Sequence, residues 1–430
     1  MLDIRIVRDN VDRVKVAIQT KGFDPALIDE LLQVDDRRRV LQSKADDLRS
    51  KRKTLTQADI DQARVLKQEL EVIEKDLSGA EAKLAALLYK IPNLPSSDTP
   101  IGRDDTENVV LRTVGQPRTF DFTPKNHYEL GRDLGIIDSE KAGEVSGTRF
   151  TYTKGRLVLL ELALVQYAMS VLTDCKMLQA IAVEARLDVS AKPFLPVLPP
   201  VLIKSEVMEK MARLEPKEER YHLPTDDLYL IGSAEHTLGP IHMGEMRQES
   251  ELPLRYVGFS TAFRREAGSY GKDTRGIFRL HQFNKTEMES FTLPEHGQAE
   301  QDFFVAIQEY LNRSLNLPYE VLICCTGDQG DPDARHLDIN TWMPSENKYR
   351  ETHSADYMTD YQARRLITRV KRADGETVYV HMNDATVFAG RTLIAIMENY
   401  QQADGSLTIP EVLVPFCGFS EIGARAQKEE

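Results

Sequence analysis

Residues 254–263, LRYVGFSTAF, and residues 276–291, GIFRLHQFNKTEMESF, decide how this chain is read. Both are rich in aromatic and β-branched residues and are predicted strands. Between them REAGSYGKDTR holds two glycines and five charges, a polar loop, so the whole predicts a long hairpin. Arg279, Phe283 and Glu287 are spaced by four, and alternation along a strand puts all three on one face at intervals of about 13 Å. A cation, an aromatic ring and a carboxylate are costly to bury unpartnered, so this face is predicted to line a wet or ligand-filled cleft. Arg264, at the entrance of the loop, and Glu266 stand at the same end.

Around the hairpin, helical patterns at 156–172, 298–315 and 391–402 mix with short apolar runs and do not alternate strictly with strands. That predicts an α+β domain on an antiparallel sheet rather than a parallel βαβ fold. A P-loop and a G-x-G-x-x-G fingerprint are both missing, which removes the commonest nucleotide-binding folds. With 41% hydrophobic and 29% charged residues in 430, the composition is that of a soluble globular protein. The start, MLDIRIVRDN, lacks the apolar core of a signal peptide, and no run reaches the roughly 18 apolar residues of a membrane span. A cytoplasmic, membrane-free protein is expected. The four cysteines form no C-x-x-C pair, so no structural zinc is expected.

A net charge of −13 argues against a uniformly basic nucleic-acid binder. Residues 1–110 carry only −2 of it and have a different grammar. Leu27, Val34, Leu41, Leu48 and Leu55 recur every seven residues, with Leu31 and Ala45 between them. A second register runs Ala63, Leu66, Leu70, Ile73, Leu77, Ala80, Leu84, Leu87, Ile91 in steps of three and four. Pro25 can open the first helix and Pro92 closes the second. The connector near Thr56–Asp59 is too short for anything but an antiparallel return, giving a hairpin arm over 27–91 on the order of 45 Å long. A dimerisation coiled coil is the plain explanation of such an arm. Its outer half, however, carries Arg49, Lys51, Arg52, Lys53, Arg64 and Lys67, a basic tip suited to a phosphate backbone. Residues 93–118, rich in Pro, Gly, Asp and Thr, read as a linker, which divides the chain into 1–105 and 106–430.

The hairpin segment FRREAGSYGKDTRGIFRLHQFNKTEM closely resembles motif 2 of the class II aminoacyl-tRNA synthetases, in the version of the seryl-tRNA synthetases. MLDIRIVRDN with its arm, IPNLP, HYELGRDLGIID and the motif 3-like GRTLIAIMENYQQADGSLTIPEVLVP extend the resemblance over nearly the whole chain. It implies a class II catalytic domain with a tRNA-binding arm, which activates L-serine with ATP and Mg2+ and charges tRNA(Ser), with tRNA(Sec) as a second candidate. A homodimer is implied as well.

By the same resemblance, Arg264 is a catalytic residue that holds the ATP α-phosphate and the serine, and Glu266 reads the adenine edge. Phe283 stacks on adenine, Arg279 is a phosphate-side cation, and Glu287 holds the serine ammonium. Arg391, the second catalytic arginine, packs on adenine and reaches the triphosphate. LYLIGSAEHTL places Ser233 and Glu235 at the family's serine-binding T-A-E. YRETHSAD places Glu351 and Ser354 at its ATP-bound magnesium site, with His353 and Asp356 as departures. In HMNDATVFAG, counting back from Arg391 puts Ala385 at the serine-hydroxyl position and a one-residue gap puts Thr386 there. The need to hydrogen-bond a hydroxyl favours Thr386. The family's G-T-G-Q-L-P-K-F is replaced by KMARLEPKEERYHLPTDD, so residues 173–226 depart from the pattern, as in a divergent bacterial type. A non-catalytic paralogue and an aminoacyl:carrier-protein ligase are the competing readings; the retained cleft residues oppose the first and the arm opposes the second.

Overall fold

The structure, a computed structural model, describes residues 1–55, 59–267 and 276–423. The arm is two antiparallel helices, Ala26–Lys53 and Ile60–Lys90, of 28 and 31 residues. Pro25 precedes the first; the second stops at Ile91, held extended ahead of Pro92. Leu41, Ala45, Leu70, Leu77 and Ala80 form a narrow stripe along its outer length. At the base Ile28 is wholly buried while Leu27 is only half-buried, so the seam enters the body one residue later than the heptad count expects. Part of the expected connector, residues 56–58, lies outside the described residues.

Ile28, Leu31, Leu84, Leu88 and Ile91 pack with Val7, Val14 and Ile18 of the first helices and with Tyr361 of the larger body. The Lys21 ammonium crosses the same junction, donating to the carbonyls of Gly330 and Asp333, both at 2.8 Å. Burial brings its pKa down to about 8. The Asn93 amide donates to the carbonyls of Pro332 (2.9 Å) and Met358 (2.8 Å), so IPNLP is a docking segment and not a loose linker.

The body is built on an eight-stranded sheet. Its strands are β1 (Val109–Val114), β2 (Leu195–Val197), β3 (Leu254–Phe263), β4 (Gln282–Thr292), β5 (Tyr319–Ile323), β6 (Arg335–Met343), β7 (Lys348–Thr359) and β8 (His381–Ala389). They lie in the order β1-β5-β6-β7-β8-β4-β3-β2, antiparallel throughout except for the edge pair β2 and β3. β1 corrects the expectation of an unstructured linker at 93–118, since it pairs with β5 across some two hundred residues of chain. Helices Arg156–Leu172, Gly297–Ser314 and Gly390–Asn399 cover one face, where Phe303, Phe304, Ile307 and Leu311 pack with Val321, Leu337, Ile339 and Val387. Each such side chain contributes about 1.5–3 kcal/mol on burial. On the opposite face Phe291, Met358 and Met382 are covered by Met211, Ala234, Leu238 and Leu366, and the rest of that face forms a cleft.

The hairpin forms as expected from β3, but its second strand begins at Gln282, not at Gly276. Gly276 has φ 80°, the Ile277 amide donates to His127 Nε2 at 3.2 Å, and Arg279 is drawn into an ion pair with Glu266. These ties take 276–281 off the ladder, so Arg279 does not share a strand face with Phe283 and Glu287.

Candidate active site

The cleft encloses about 540 Å³ and has a wider, polar end and a closed, buried end. At the wider end the chain leaves β3 at Arg264, whose amide donates to the His281 carbonyl at 3.0 Å, clamping the hairpin's two exits. Its Nε donates to the Gly232 carbonyl at 3.1 Å, and the guanidinium lies 5.3 Å from the centre of the Phe283 ring. Glu266 sits at φ 53°, in the left-handed region, where its carboxylate meets Arg279. Across the cleft, at the start of helix Gly390–Asn399, Arg391 Nη1 donates to Glu351 Oε2 at 2.8 Å. Arg391 and Arg350 both lie over the Phe278 ring, at 4.8 and 3.9 Å. Glu351 is half exposed, and what it is exposed to is the cleft. Enclosure by the walls pushes its carboxyl up; the Arg391 guanidinium outweighs this and brings it to about 2.

At the closed end the sheet supplies the floor. Lys285 and Glu287, two apart on β4, point to the same side, and Lys285 Nζ lies 3.0 Å from Glu287 Oε1 and 3.3 Å from Ser233 Oγ. Glu287 has no exposed surface, and burial raises its carboxyl to about 7 despite Lys285. This modifies the expectation of a continuous open face, because Lys285 covers Glu287 and closes the cleft beyond Phe283.

Thr386 lines the floor, 3.2 Å from Ser354 across the hydroxyls, whereas Ala385 belongs to the hydrophobic core on the other side. A bulge explains why counting from Arg391 misleads. Opposite Thr286 and Glu287 stand Phe388 and Thr386, so Val387 is passed over, and both Val387 and Phe388 turn into the core. The Gln308 amide donates to the carbonyls of Ser354 (2.8 Å) and Thr386 (2.7 Å), fixing the two strands together.

Ser233 and Glu235 stand at the start of the short helix Glu235–Leu238, both buried. Arg213 Nε meets Glu235 Oε1 at 2.6 Å. Burial pushes the Glu235 carboxyl up, and Arg213 with His236 and Lys285 brings it down to about 2.

The structure therefore brings Ser233, Glu235, Arg264, Glu266, Arg279 and Phe283 into one cleft with Glu351, Ser354, Thr386 and Arg391, while Glu287 lies just beneath it. Arg213, Lys285 and Phe278 were not expected there. Lys285 could have been found from the alternation that singled out Phe283 and Glu287, but Arg213 lies in a segment with no motif. Cys324, His336 and Asp338, unrelated in spacing to a zinc motif, also meet beside the cleft. His336 Nε2 lies 2.9 Å from Asp338 Oδ1, and Cys324 Sγ lies 3.4 Å from Asp338 Oδ2.

At the other extreme of the molecule, Lys51, Arg52, Lys53 and Arg64 are exposed near the arm's tip. Arg49 is tied across the hairpin to Glu74 (2.9 Å) and along its own helix to Asp46 (3.0 Å). Lys67 lies 3.8 Å from Glu71.

Residues 1–95 match the seryl-tRNA synthetase N-terminal domain, and residues 219–400 match the tRNA synthetase class II core domain (G, H, P, S and T). The chain is 38% identical to a serine–tRNA ligase of Thermobifida fusca, with all of both chains covered. It is 40% identical to one from Thermotoga maritima, over 98% of this chain and 100% of that one. Among solved structures it resembles seryl-tRNA synthetase from Pyrococcus horikoshii complexed with ATP, with TM-score 0.89, 33% identity and coverage of 98% and 99%. The cytoplasmic serine–tRNA ligase of Naegleria fowleri in complex with AMP follows at TM-score 0.86, 30% identity and 98% of both chains. With full-length relatives at this identity and both halves of the architecture matched, the chain belongs to the seryl-tRNA synthetase family of class II aminoacyl-tRNA synthetases.

Proposed function

We propose that this protein activates L-serine with ATP and transfers the seryl group to tRNA(Ser). One observation carries the reading: a single cleft joins an aromatic plate under Arg264 and an Arg391–Glu351 pair at one end to a buried Ser233–Lys285–Glu287 pocket at the other. The first end suits adenine and phosphates. The second suits a small amino acid whose ammonium needs a carboxylate and whose hydroxyl meets Thr386. The serine carboxylate attacks the α-phosphorus of ATP, the bond to the β-phosphate oxygen breaks, and pyrophosphate leaves. A 3′-terminal hydroxyl of tRNA then attacks the seryl carbonyl, and AMP leaves.

No side chain need act as nucleophile. Arg264 and Arg391 hold the phosphates in place and offset their charge, while Phe283 fixes the adenine. Glu351 and Ser354 offer a carboxylate and a hydroxyl oxygen to the same cleft, a donor set that suits Mg2+ entering with ATP. Bound there, the ion would neutralise phosphate charge.

The reading extends to a division at about residue 105, with the arm gripping tRNA by shape and backbone through Lys51, Arg52, Lys53, Arg64 and Lys67, while Arg49, expected from the sequence to join them, is paired with Asp46 and Glu74 and braces the hairpin. It extends also to a homodimer, for which Leu159, Leu162, Leu195 and Leu198 provide exposed apolar surface near the edge of the sheet. Among the described residues no single helix is long and apolar enough to cross a membrane, and a cytoplasmic site of action fits the substrates. Pyrophosphate exchange with serine, alanine and threonine, followed by charging of tRNA(Ser) and tRNA(Sec), tests the proposal. Exchange with serine alone is expected; exchange with none of the three amino acids would overturn it.

A further inference from the structure

On the floor of the cleft the strand register sets carboxyl groups beside one another. His336 stands opposite Asp356, Asp356 opposite Asp384, and Asp384 opposite Glu289, one row across β6, β7, β8 and β4. All three acids are buried, and like charges directly opposite on neighbouring strands destabilise a sheet. The row lies just behind the one that holds Ser354, Thr386 and Glu287.

One guanidinium reaches two acids of this row, Asp356 and Asp384, and two beside it. Arg213 Nη2 is 3.6 Å from carboxylate oxygens of Asp333, Asp356 and Asp384, while its Nε meets Glu235 at 2.6 Å. Its mount is rigid: Ala212 before it takes φ 57°, and the Arg213 carbonyl accepts from Arg220 Nε at 2.9 Å. Asp333 is fixed in turn by the Gly330 amide at 2.9 Å. A planar fork of five N–H donors can serve several carboxylates at once, which a lysine ammonium does less well. Arg213 comes from the segment that departs from the family pattern, Asp356 is a second departure, and Asp384 lies in a third divergent stretch. In space these departures meet at one ion cluster.

We propose that Arg213 is a positioning residue of the amino-acid pocket, holding Glu235, Asp356 and Asp384 in the arrangement that receives the substrate ammonium; this rests on the serine reading above. Without Arg213, Glu235 is left among Asp384 and Glu287 with a counter-cation removed. It then takes up a proton or turns away, and either change loosens its hold on an ammonium.

The test uses the full-length protein and serine-dependent pyrophosphate exchange. In Arg213→Gln the serine KM is expected to rise by about tenfold or more, the order for stripping the partner from a buried charge, while the ATP KM moves less than about threefold. Arg213→Lys should fall between the two. Adding Asp384→Asn to Arg213→Gln removes a carboxylate with the guanidinium and should recover part of the serine KM. If Arg213→Gln does not fold, the double variant set against Asp384→Asn alone carries the comparison, with a higher serine KM expected in the double. An unchanged serine KM, or equal rises for serine and ATP, overturns the proposal while leaving the functional reading intact. A wild-type protein inactive with serine overturns that reading first, and this proposal with it.

Discussion

The cleft and the arm's tip use the same charged side chains in two dielectric settings. In the cleft, Arg264, Arg391, Lys285 and Arg213 are enclosed, each within reach of a carboxylate, carbonyl or aromatic ring. At the tip, Lys51, Arg52, Lys53 and Arg64 stand in water. Interactions in the first setting are strong and poorly screened, whereas those in the second are weak one by one and screened beyond about 8 Å at physiological salt. Net charge is therefore a poor guide to partners here. Of the −13 only −2 lies in residues 1–110, and the residues expected to meet tRNA are local and outward-facing. Substitutions in the cleft should have large effects with little salt dependence, and substitutions at the tip the reverse.

Arg264→Ala tests the contrast most severely. It removes the cation above Phe283 and is expected to lower serine-dependent exchange about a thousandfold, the scale for losing a preorganised charge from an enclosed site. Filter-binding affinity for tRNA should be unchanged. Near-normal exchange would sink the assignment of the cleft.

Glu287 comes next. Burial raises its carboxyl to about 7, with Lys285 opposing and Glu235 and Asp356 adding to the rise. An ammonium binds the ionised form, so below pH 7 serine must displace a proton. The serine KM should then rise by up to about tenfold per pH unit as pH falls from 7 to 6, and be flat above 7. Glu287→Gln removes the charge-assisted bond, should raise KM by about a hundredfold, and should erase that slope. A slope that survives in the variant would assign the titration elsewhere.

Phe283→Ala should raise the KM for ATP about thirtyfold, within the range for losing a base-stacking ring, and leave the serine KM within about twofold. A shift shared equally by both substrates would mean that the ring props up the hairpin and that its role is not stacking.

What the sequence revealed follows from how local each feature is. The arm was legible because a seven-residue repeat needs no information beyond the helix itself, and Phe283 and Glu287 because alternation along one strand aligns them. β1 was not, since Val109–Val114 becomes a strand only by meeting β5 far along the chain. Alternation misplaces Arg279, because His127 and Glu266 pull 276–281 off the ladder and neither tie is visible in a two-residue period. Thr386 was separable from Ala385 by chemistry, yet the reason, the bulge at Val387, exists only in the pairing with β4. Arg213 was invisible altogether: its partners come from four separate stretches of chain.

The smallest expected effect belongs to the tip, and its signature is salt. Replacing Lys51, Arg52, Lys53 and Arg64 with glutamine should weaken tRNA binding by about tenfold in dilute salt and progressively less as salt rises. The slope of log affinity against log salt should become shallower by about 0.7–0.9 for each phosphate that is no longer neutralised. Pyrophosphate exchange should not change, because the substituted residues lie at the far end of the arm from the cleft. Arg49→Gln provides the internal control. Arg49 already bonds Asp46 and Glu74, so its loss should chiefly loosen the hairpin, by the 0.2–1 kcal/mol or so of exposed ion pairs, and leave the salt slope almost as it was. An unaltered slope in the fourfold variant would make the tip an ordinary solvated helix end, and the tRNA-binding surface would have to be sought elsewhere along the arm.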